Sequence, residues 1–157
     1  MIDIVEARHE HVGAIVGLWK DLADYHRSLG PLHPRRQDPP ERLAEFLDRH
    51  IPLPDSLVLA ALSGKEVVGF SFCFVAALPL VFRSDDHGFV SQLVVAEQHR
   101  RRGIGTAMVR RIREWFSGRG IARIELRVSP LNAVGRGFWE RQGFSEYEAV
   151  MCLDMDH

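Results

Sequence analysis

The sequence is poor in the residues that build disulfide frameworks and metal centres. Its two cysteines, Cys73 and Cys152, form no CxxC pair, and both lie in apolar, strand-like runs. We therefore expect two buried free thiols in a reducing compartment. The eight histidines show no spacing that would gather them as metal ligands, so the sequence predicts no metal site.

Long apolar runs are absent as well. No segment approaches the roughly 20 residues that a membrane-spanning helix needs. The first residues, MIDIVEARHEH, lack the apolar core of a signal peptide. Together these absences predict a cytoplasmic protein that does not use a membrane as its partner.

The chain also lacks a strong charge of either sign, since 20 Lys and Arg face 21 Asp and Glu. This balance argues against nucleic acid as a partner, although the triplet Arg100, Arg101 and Arg102 leaves nucleic-acid binding as an alternative. The charge is uneven along the chain. Residues 1–90 carry 9 basic and 13 acidic side chains, whereas residues 91–157 carry 11 and 8. The second part is thus basic and the first part acidic.

The periodicity of the apolar residues predicts ten elements in the order β-α-α-β-β-β-α-β-α-β. Strands are expected at 2–7, 56–62, 67–78, 89–95, 121–128 and 147–155, and helices at 9–29, 39–50, 105–116 and 132–142. This order predicts an α/β fold in one domain, residues 1–157. A mixed, mostly antiparallel sheet would carry helices on both faces.

The most informative segment joins the apolar run Leu93-Val94-Val95 to a basic loop and a helix. Gly103 and Gly105 stand where that helix begins. Backbone N–H groups at a helix N-terminus have no intrahelical partner, and glycine lets a phosphate approach them closely. The segment therefore predicts a pyrophosphate site.

Two other phosphate-binding loops are excluded by residues that this loop lacks. A nucleotide-triphosphate loop needs Lys after its second glycine, where Thr106 stands. A dinucleotide fingerprint needs a third glycine, where Met108 stands. The remaining pattern, Arg-x-x-Gly-x-Gly after Leu-x-Val, resembles the acetyl-CoA motif of the GCN5-related N-acetyltransferase (GNAT) family.

A second segment carries the same resemblance. Asn132 is a preferred N-cap before a short predicted helix, and Gly143 stands where a left-handed C-terminal cap is expected. The pattern Asn132-x-x-Gly-x-x-Phe138-Trp139-x-x-x-Gly143-Phe is similar to the final motif of the GNAT family, usually Asn-x-x-Ala-x-x-Phe-Tyr-x-x-x-Gly-Phe. The resemblance extends over roughly residues 65–155.

The resemblance implies the acyl-CoA N-acyltransferase (GNAT) fold, with acetyl-CoA as the cosubstrate. It implies that loop amides hold the pyrophosphate and that the end of the preceding strand binds the pantetheine arm. The strands ending at Val95 and Val128 would splay apart to admit that arm. The cofactor-binding residues that it assigns are Leu93, Val94, Val95, Arg100, Arg101, Arg102, Gly103, Ile104, Gly105, Thr106, Asn132, Phe138 and Trp139.

The chain departs from the family where the proton carriers are expected. The family often has Glu or Asp on the strand before the loop, but Ser91 and Gln92 stand there. It often has Tyr shortly before the final Gly-Phe, where this chain has Trp139, and an indole cannot give up a proton. The catalytic acid and base therefore stay unknown at the level of sequence.

Four other residues are alternatives for the missing acid or base: Tyr147, His87, Asp86 and Glu148. Stabilisation of the thioester oxygen needs only a backbone N–H at the end of the strand. We assign that role to Val95 or Val94.

We expect an N-acetyltransferase that moves an acetyl group to a primary amine of a small molecule or peptide by direct attack in a ternary complex. The alternative is a coenzyme A-binding sensor or interaction domain of the same fold with little catalysis. The pair Tyr25-His26 is a candidate lining of the acceptor pocket. Five acidic residues suggest a positively charged acceptor: Asp21, Asp24, Asp38, Asp85 and Asp86. The sequence names no acceptor and leaves open whether a homodimer forms.

Overall fold

The structure is a computed structural model that describes residues 1–30, 38–77 and 86–155. Its contacts divide the chain into two compact units, one ending at Arg127 and the other beginning at Val128. In the described ranges, the first unit holds β1 (Ile2–Glu6), α1 (Val12–Ser28), α2 (Pro40–His50), β2 (Ser56–Ser63), β3 (Glu66–Ala76), β4 (His87–Val95), α3 (Ile104–Ser117) and β5 (Ile124–Leu126). The second unit holds α4 (Ala133–Arg141).

The five strands form one sheet in the order β1-β2-β3-β4-β5. The first three pairings are antiparallel, and β4 pairs with β5 in parallel. A parallel pairing requires a crossover, and α3 supplies it. The expected mixed, mostly antiparallel sheet is confirmed.

Helices cover both faces of this sheet. On one face, Ile15 of α1 and Leu47 of α2 pack in a cluster with Phe70 of β3. On the opposite face, Ile104 and Met108 of α3 pack in a separate cluster, which includes Ala61 and Val68 from the strands. The helical spacing of apolar residues thus places each helix with its apolar side against the sheet.

The predicted last strand, 147–155, is wrong. The structure assigns no strand to these residues, and Tyr147, Met151 and Leu153 are 60%, 93% and 82% exposed. Alternation of apolar residues satisfies the strand pattern, but a strand also needs a neighbouring backbone. The described part of the second unit contains no other strand that could supply one.

Two further expectations are corrected. The strand predicted at 121–128 is shorter and covers Ile124–Leu126. Cys73 is buried as expected, but Cys152 is exposed because its segment forms no strand. Residues 31–37 and 78–85, which include the end of the strand predicted at 67–78, lie outside the described residues.

Candidate active site

The loop between β4 and α3 has the backbone geometry of an anion cradle. Arg101 and Gly103 both adopt left-handed conformations, with φ of 60° and 78°. Such residues turn successive N–H groups toward one side of a loop. The hydrogen bonding of α3 begins with Ala107 N–H donating to the Gly103 carbonyl at 3.0 Å. The N–H groups of Ile104 and Gly105 precede that bond and have no acceptor within the helix.

The loop is tied back to the strand by one of its arginines. Arg100 Nε donates to the Val95 carbonyl at 3.0 Å. This bond fixes the start of the loop against the last residue of β4. The side chains of Arg101 and Arg102 are exposed beside the start of α3, where they add positive charge to the positive end of the helix dipole.

The second half of β4 has an open edge. The parallel pairing with β5 covers only Gly88, Phe89 and Val90. In the register between β3 and β4, Phe72 faces Gln92 and Cys73 faces Val90, so Ser91 is the extra residue of a β-bulge. Beyond the bulge, residues 91–95 have no strand partner on the side of β5 within the described chain. We call this unpaired edge beside residues 91–95 the opening, whereas the splay that the family resemblance implied stays a prediction.

Hydrogen bonding shows which backbone groups face this open edge. Ala96 N–H donates to the Val68 carbonyl on β3 at 2.8 Å. The Val94 carbonyl also points to β3, since a Cβ added at Gly69 would lie 2.9 Å from it. Backbone groups alternate in direction along a strand. The N–H groups of Leu93 and Val95 therefore point away from β3, into the opening.

This alternation separates two residues that the sequence could not distinguish. The backbone of Val94 faces β3, and its side chain packs in the core with α1 and α2. The N–H groups of Val95 and Leu93 point the other way, and their role as donors to a ligand stays a prediction. The side chains of Leu93 and Val95 pack on the opposite face, against the cluster that contains Ile104 and Met108.

The second motif builds a local structure within the second unit. Asn132 Oδ1 accepts a hydrogen bond from Gly135 N–H at 2.9 Å and so caps α4, as predicted. Gly143 has the expected left-handed φ of 91°. Trp139 packs edge-to-face against Phe138 and Phe144, with ring centroids 5.0 and 5.1 Å apart. These contacts give Trp139 a packing role inside its own unit.

The proposed substitutes for the missing proton carriers are divided between the two units. His87 begins β4, roughly 20 Å along the strand from Leu93, and Asp86 precedes it. Buried His87 instead lies beside Glu125, with 3.5 Å between Nε2 and Oε2. Tyr147 and Glu148 are exposed residues of the second unit.

The sequence interpretation missed His50, the last residue of α2. Its Nδ1 lies 2.7 Å from the carbonyl oxygen of Phe46, and its ring stacks on Phe46 at a centroid distance of 4.0 Å. It also meets the edge of Phe72 at 5.5 Å. The i, i+4 spacing of Phe46 and His50 was visible in the sequence, but the contact with β3 was not.

His50 belongs to an aromatic cluster on the face of the sheet that α1 and α2 cover. Its members, connected by ring contacts, are Trp19, Phe46, His50, Phe70, Phe72, Phe74 and Phe89. Phe74 of β3 and its cross-strand partner Phe89, near the start of β4, are half-buried. The alternating phenylalanines of β3 were the available signal for this surface.

Two of the five acidic residues that suggested a positively charged acceptor form ion pairs with arginines. Asp24 pairs with Arg27, and Asp38 lies 3.3 Å from Arg42. Asp85 lies outside the described residues. The rings of Tyr25 and His26, the other predicted acceptor contacts, have centroids 6.0 Å apart at the end of α1.

A groove of about 640 Å³ lies at the opposite end of the sheet from the loop. Glu6, His11, Trp115 and Arg119 are among the residues that line it. Its lining includes none of the predicted cofactor residues.

Among the described residues, no cluster of metal ligands accompanies this site, and the buried thiol of Cys73 holds its proton near neutral pH. The described residues contain no group of three or more His, Cys, Asp or Glu side chains suited to holding a metal ion. Burial raises the pKa of the Cys73 thiol to about 12. None of the helices in the described ranges is long and apolar enough to cross a membrane.

Comparison with known proteins agrees with this geometry. The model of the Acetyltransferase (GNAT) family matches residues 9–144. The aminoglycoside N(6')-acetyltransferase type 1 of Klebsiella aerogenes is 25% identical over 117 residues, which cover 74% of this chain and 77% of the relative. YobR, an uncharacterized N-acetyltransferase of Bacillus subtilis, is 37% identical over 71 residues, 45% of this chain but only 29% of its own length.

Solved structures show the same fold. The aminoglycoside N-acetyltransferase AAC(6')-Iy, in complex with CoA, superposes with a TM-score of 0.81 at 18% identity, over 99% of this chain and 95% of that chain. A mutant of the BH1408 protein from Bacillus halodurans superposes with a TM-score of 0.83 at 20% identity, over 98% and 99% of the two chains.

Proposed function

Because the chain belongs to the acetyltransferase (GNAT) family, we propose that residues 1–157 act as one N-acetyltransferase domain. It would move the acetyl group of acetyl-CoA to a primary amine of a small molecule or peptide, by direct attack in a ternary complex. The observation that carries this proposal is the open edge of β4 leading to the N-terminus of α3. The two free cysteines of the chain, Cys73 and Cys152, fit a cytoplasmic setting.

The loop and the end of β4 suit two parts of the cosubstrate, its pyrophosphate and its pantetheine arm with the thioester. The N–H groups of Ile104 and Gly105, with Thr106, Gly103 and the three preceding arginines, would hold the pyrophosphate. The N–H groups of Val95 and Leu93 lie two residues apart, about 6.6 Å, along the open edge. They would donate to carbonyl oxygens of the pantetheine arm and the thioester, with Leu93 farther from the pyrophosphate.

Stabilisation of the thioester oxygen by a fixed backbone N–H is the main chemical contribution that this arrangement supports. A donor held rigidly in a sheet needs no rearrangement as negative charge develops on the oxygen. Asn132, Phe138 and Trp139 stay predictions as cofactor residues, since they belong to the second unit.

The acceptor is proposed only as a class. An aminoglycoside acetyltransferase among the relatives supports an amine on a small molecule. The ion pairs of Asp24 and Asp38 reduce the negative charge that these two residues offer to a polycation, while a positively charged acceptor stays a prediction.

The proposal is tested by following free thiol release from acetyl-CoA with a panel of amines, with mass spectrometry of the products. We expect an acetylated amine and one thiol released per transfer. Calorimetry with CoA should show binding in the absence of any acceptor. Binding of acetyl-CoA without transfer to any amine would favour the sensor alternative, and no binding at all would reject the family activity for this chain.

Direct attack is tested separately. The protein is incubated with acetyl-CoA alone and its intact mass is measured. We expect the protein to keep its unmodified mass, with no acetyl group that a later addition of amine would remove. The reason is that the described residues 91–95 of β4 offer no nucleophile paired with a base.

A further inference from the structure

The aromatic cluster under α1 and α2 contains one side chain with a basic nitrogen. The other members are Phe and Trp, whereas His50 carries an imidazole. His50 is half-buried at the end of α2. Its position relative to β4 decides whether that proton chemistry could serve acetyl transfer.

The strand register places His50 above the segment where the opening in the sheet begins. The imidazole contacts Phe72, and Phe72 is the direct cross-strand partner of Gln92 on β4. Such partners have Cα atoms about 5.5 Å apart and side chains on the same face. Gln92 immediately precedes Leu93, whose N–H points into the opening.

Both faces of β4 carry packed side chains, since Leu93 and Val95 lie against the cluster that contains Ile104 and Met108 of α3, and Val94 packs under α1 and α2. An acceptor amine that approaches from the face under α1 and α2 would meet the aromatic cluster that contains His50. The face under α1 and α2 holds Gln92 and the half-buried Phe89. Neither of those side chains can act as a base.

The local hydrogen bond sets the tautomer of His50. A carbonyl oxygen can only accept, so the short contact between Nδ1 and the Phe46 carbonyl, 2.7 Å, requires the proton to be on Nδ1. In the neutral ring, Nε2 then carries a lone pair. The helix therefore holds the imidazole in the form of a proton acceptor.

We propose that His50 Nε2 takes the proton from the acceptor's ammonium group, directly or through one water. This assignment rests on the proposed acetyl transfer. The freed amine forms its C–N bond with the thioester carbonyl carbon, and the C–S bond breaks. The departing sulfur takes the second nitrogen proton, and the imidazolium returns its proton to solvent, so CoA leaves as the thiol.

The decisive variant is His50→Asn, whose side-chain amide can still donate to the Phe46 carbonyl but has no basic nitrogen. We expect kcat to fall by about 10²–10⁴-fold, with the KM for acetyl-CoA and the melting temperature near those of wild type. Imidazole added to the solution should restore part of the rate of His50→Ala. A structural role would produce neither the selective loss of kcat nor this rescue.

His9→Asn is the matched control, because His9 is exposed on the surface beside Asp48. It should keep the wild-type rate. A second readout is independent of activity: ¹⁵N NMR of labelled histidine should show the ring of His50 protonated at Nδ1 and bare at Nε2.

The outcomes separate the two proposals. Wild-type protein that transfers to no amine contradicts the proposed function. A wild-type protein that transfers, combined with a His50→Asn rate within about threefold of it, contradicts only the role of His50. A proton found on Nε2 by NMR also overturns that role, whatever the activity.

Discussion

Single residues decide how closely an anion can approach the start of α3. Arg101 adopts a left-handed φ of 60°, which costs a non-glycine residue on the order of 1 kcal/mol. Gly103 adopts φ of 78° without that cost, and among the described residues none except its two chain neighbours has an atom within 4 Å of where its Cβ would be. The space beside Gly103 is therefore open to a ligand.

The residue-scale test of this site is Gly105→Asp. The change adds a side chain and a negative charge at the second position of α3, where the pyrophosphate is proposed to lie. Calorimetry should show acetyl-CoA affinity reduced at least tenfold, about 1.4 kcal/mol.

The matched control is Gly13→Asp, since Gly13 is likewise the second residue of a helix, α1, and is exposed. An acid in the first turn suits the helix dipole, so this variant should fold and bind acetyl-CoA normally. Gly105→Asp protein that is folded and binds within about threefold of wild type would refute the loop assignment.

At the scale of elements, α4 depends on one capping bond. Asn132→Ala removes the acceptor of the Gly135 N–H bond and should cost about 1 kcal/mol of helix stability. Hydrogen exchange of the α4 amides should speed up accordingly. Asn132→Asp keeps the acceptor and should exchange like wild type.

Gly135 lies directly beneath the side chain that caps its own helix. A Cβ at this position would lie 2.4 Å from Nδ2 of Asn132, so Gly135→Ala should displace the cap and speed exchange as Asn132→Ala does. Unchanged exchange in both variants would mean that α4 is held by other contacts.

The close packing of α3 against β4 predicts that a small side chain added at Gly88 lowers the stability of the fold. A Cβ at Gly88 would lie 2.7 Å from the ring of Phe116, which is fully buried. Gly88→Ala should lower the free energy of unfolding by about 1–3 kcal/mol in denaturant titration. Phe116→Leu in the same chain should recover part of that loss.

Gly17→Ala is the control for this substitution, because Gly17 lies in α1 with no atom within 4 Å of the added Cβ. It should be neutral or stabilising by up to about 1 kcal/mol. Equal stability of Gly88→Ala and wild type would show that the Phe116 ring moves aside at little cost.

At the scale of the whole molecule, the sequence correctly predicted the elements that depend on local residue patterns. The helices at Val12–Ser28 and Ile104–Ser117 and the strands around them follow from apolar periodicity. The loop and the cap at Asn132 follow from residue type. Strand formation at 147–155 failed because it depends on a partner that the pattern does not specify.

The parts of the site that the sequence could not supply depend on pairing between distant residues. The choice of Val95 and Leu93 over Val94 follows from one bond between Ala96 and Val68. The place of His50 follows from its contact with Phe72, 22 positions along the chain. Neither is encoded in a local spacing.

Cys73 links one buried side chain to the alkaline stability of the whole fold. Burial raises the pKa of its thiol from 9.0 to about 12, and the charge of Arg119 opposes that rise. Below pH 9.0 both the folded and the unfolded chain hold the thiol proton. Above it the unfolded chain releases the proton while the folded chain keeps it, so the free energy of unfolding falls as pH rises, by at most about 1.4 kcal/mol per pH unit.

The difference in unfolding free energy between wild type and Cys73→Ala isolates this effect, because other groups titrate equally in both. We expect wild type to be the more stable protein near neutral pH, where alanine leaves a small cavity. The difference should shrink by roughly 2.7 kcal/mol two pH units above the unfolded pKa. Cys152→Ser, at an exposed position, should follow the wild-type curve. A difference that stays constant with pH would show that the Cys73 thiol reaches solvent without unfolding.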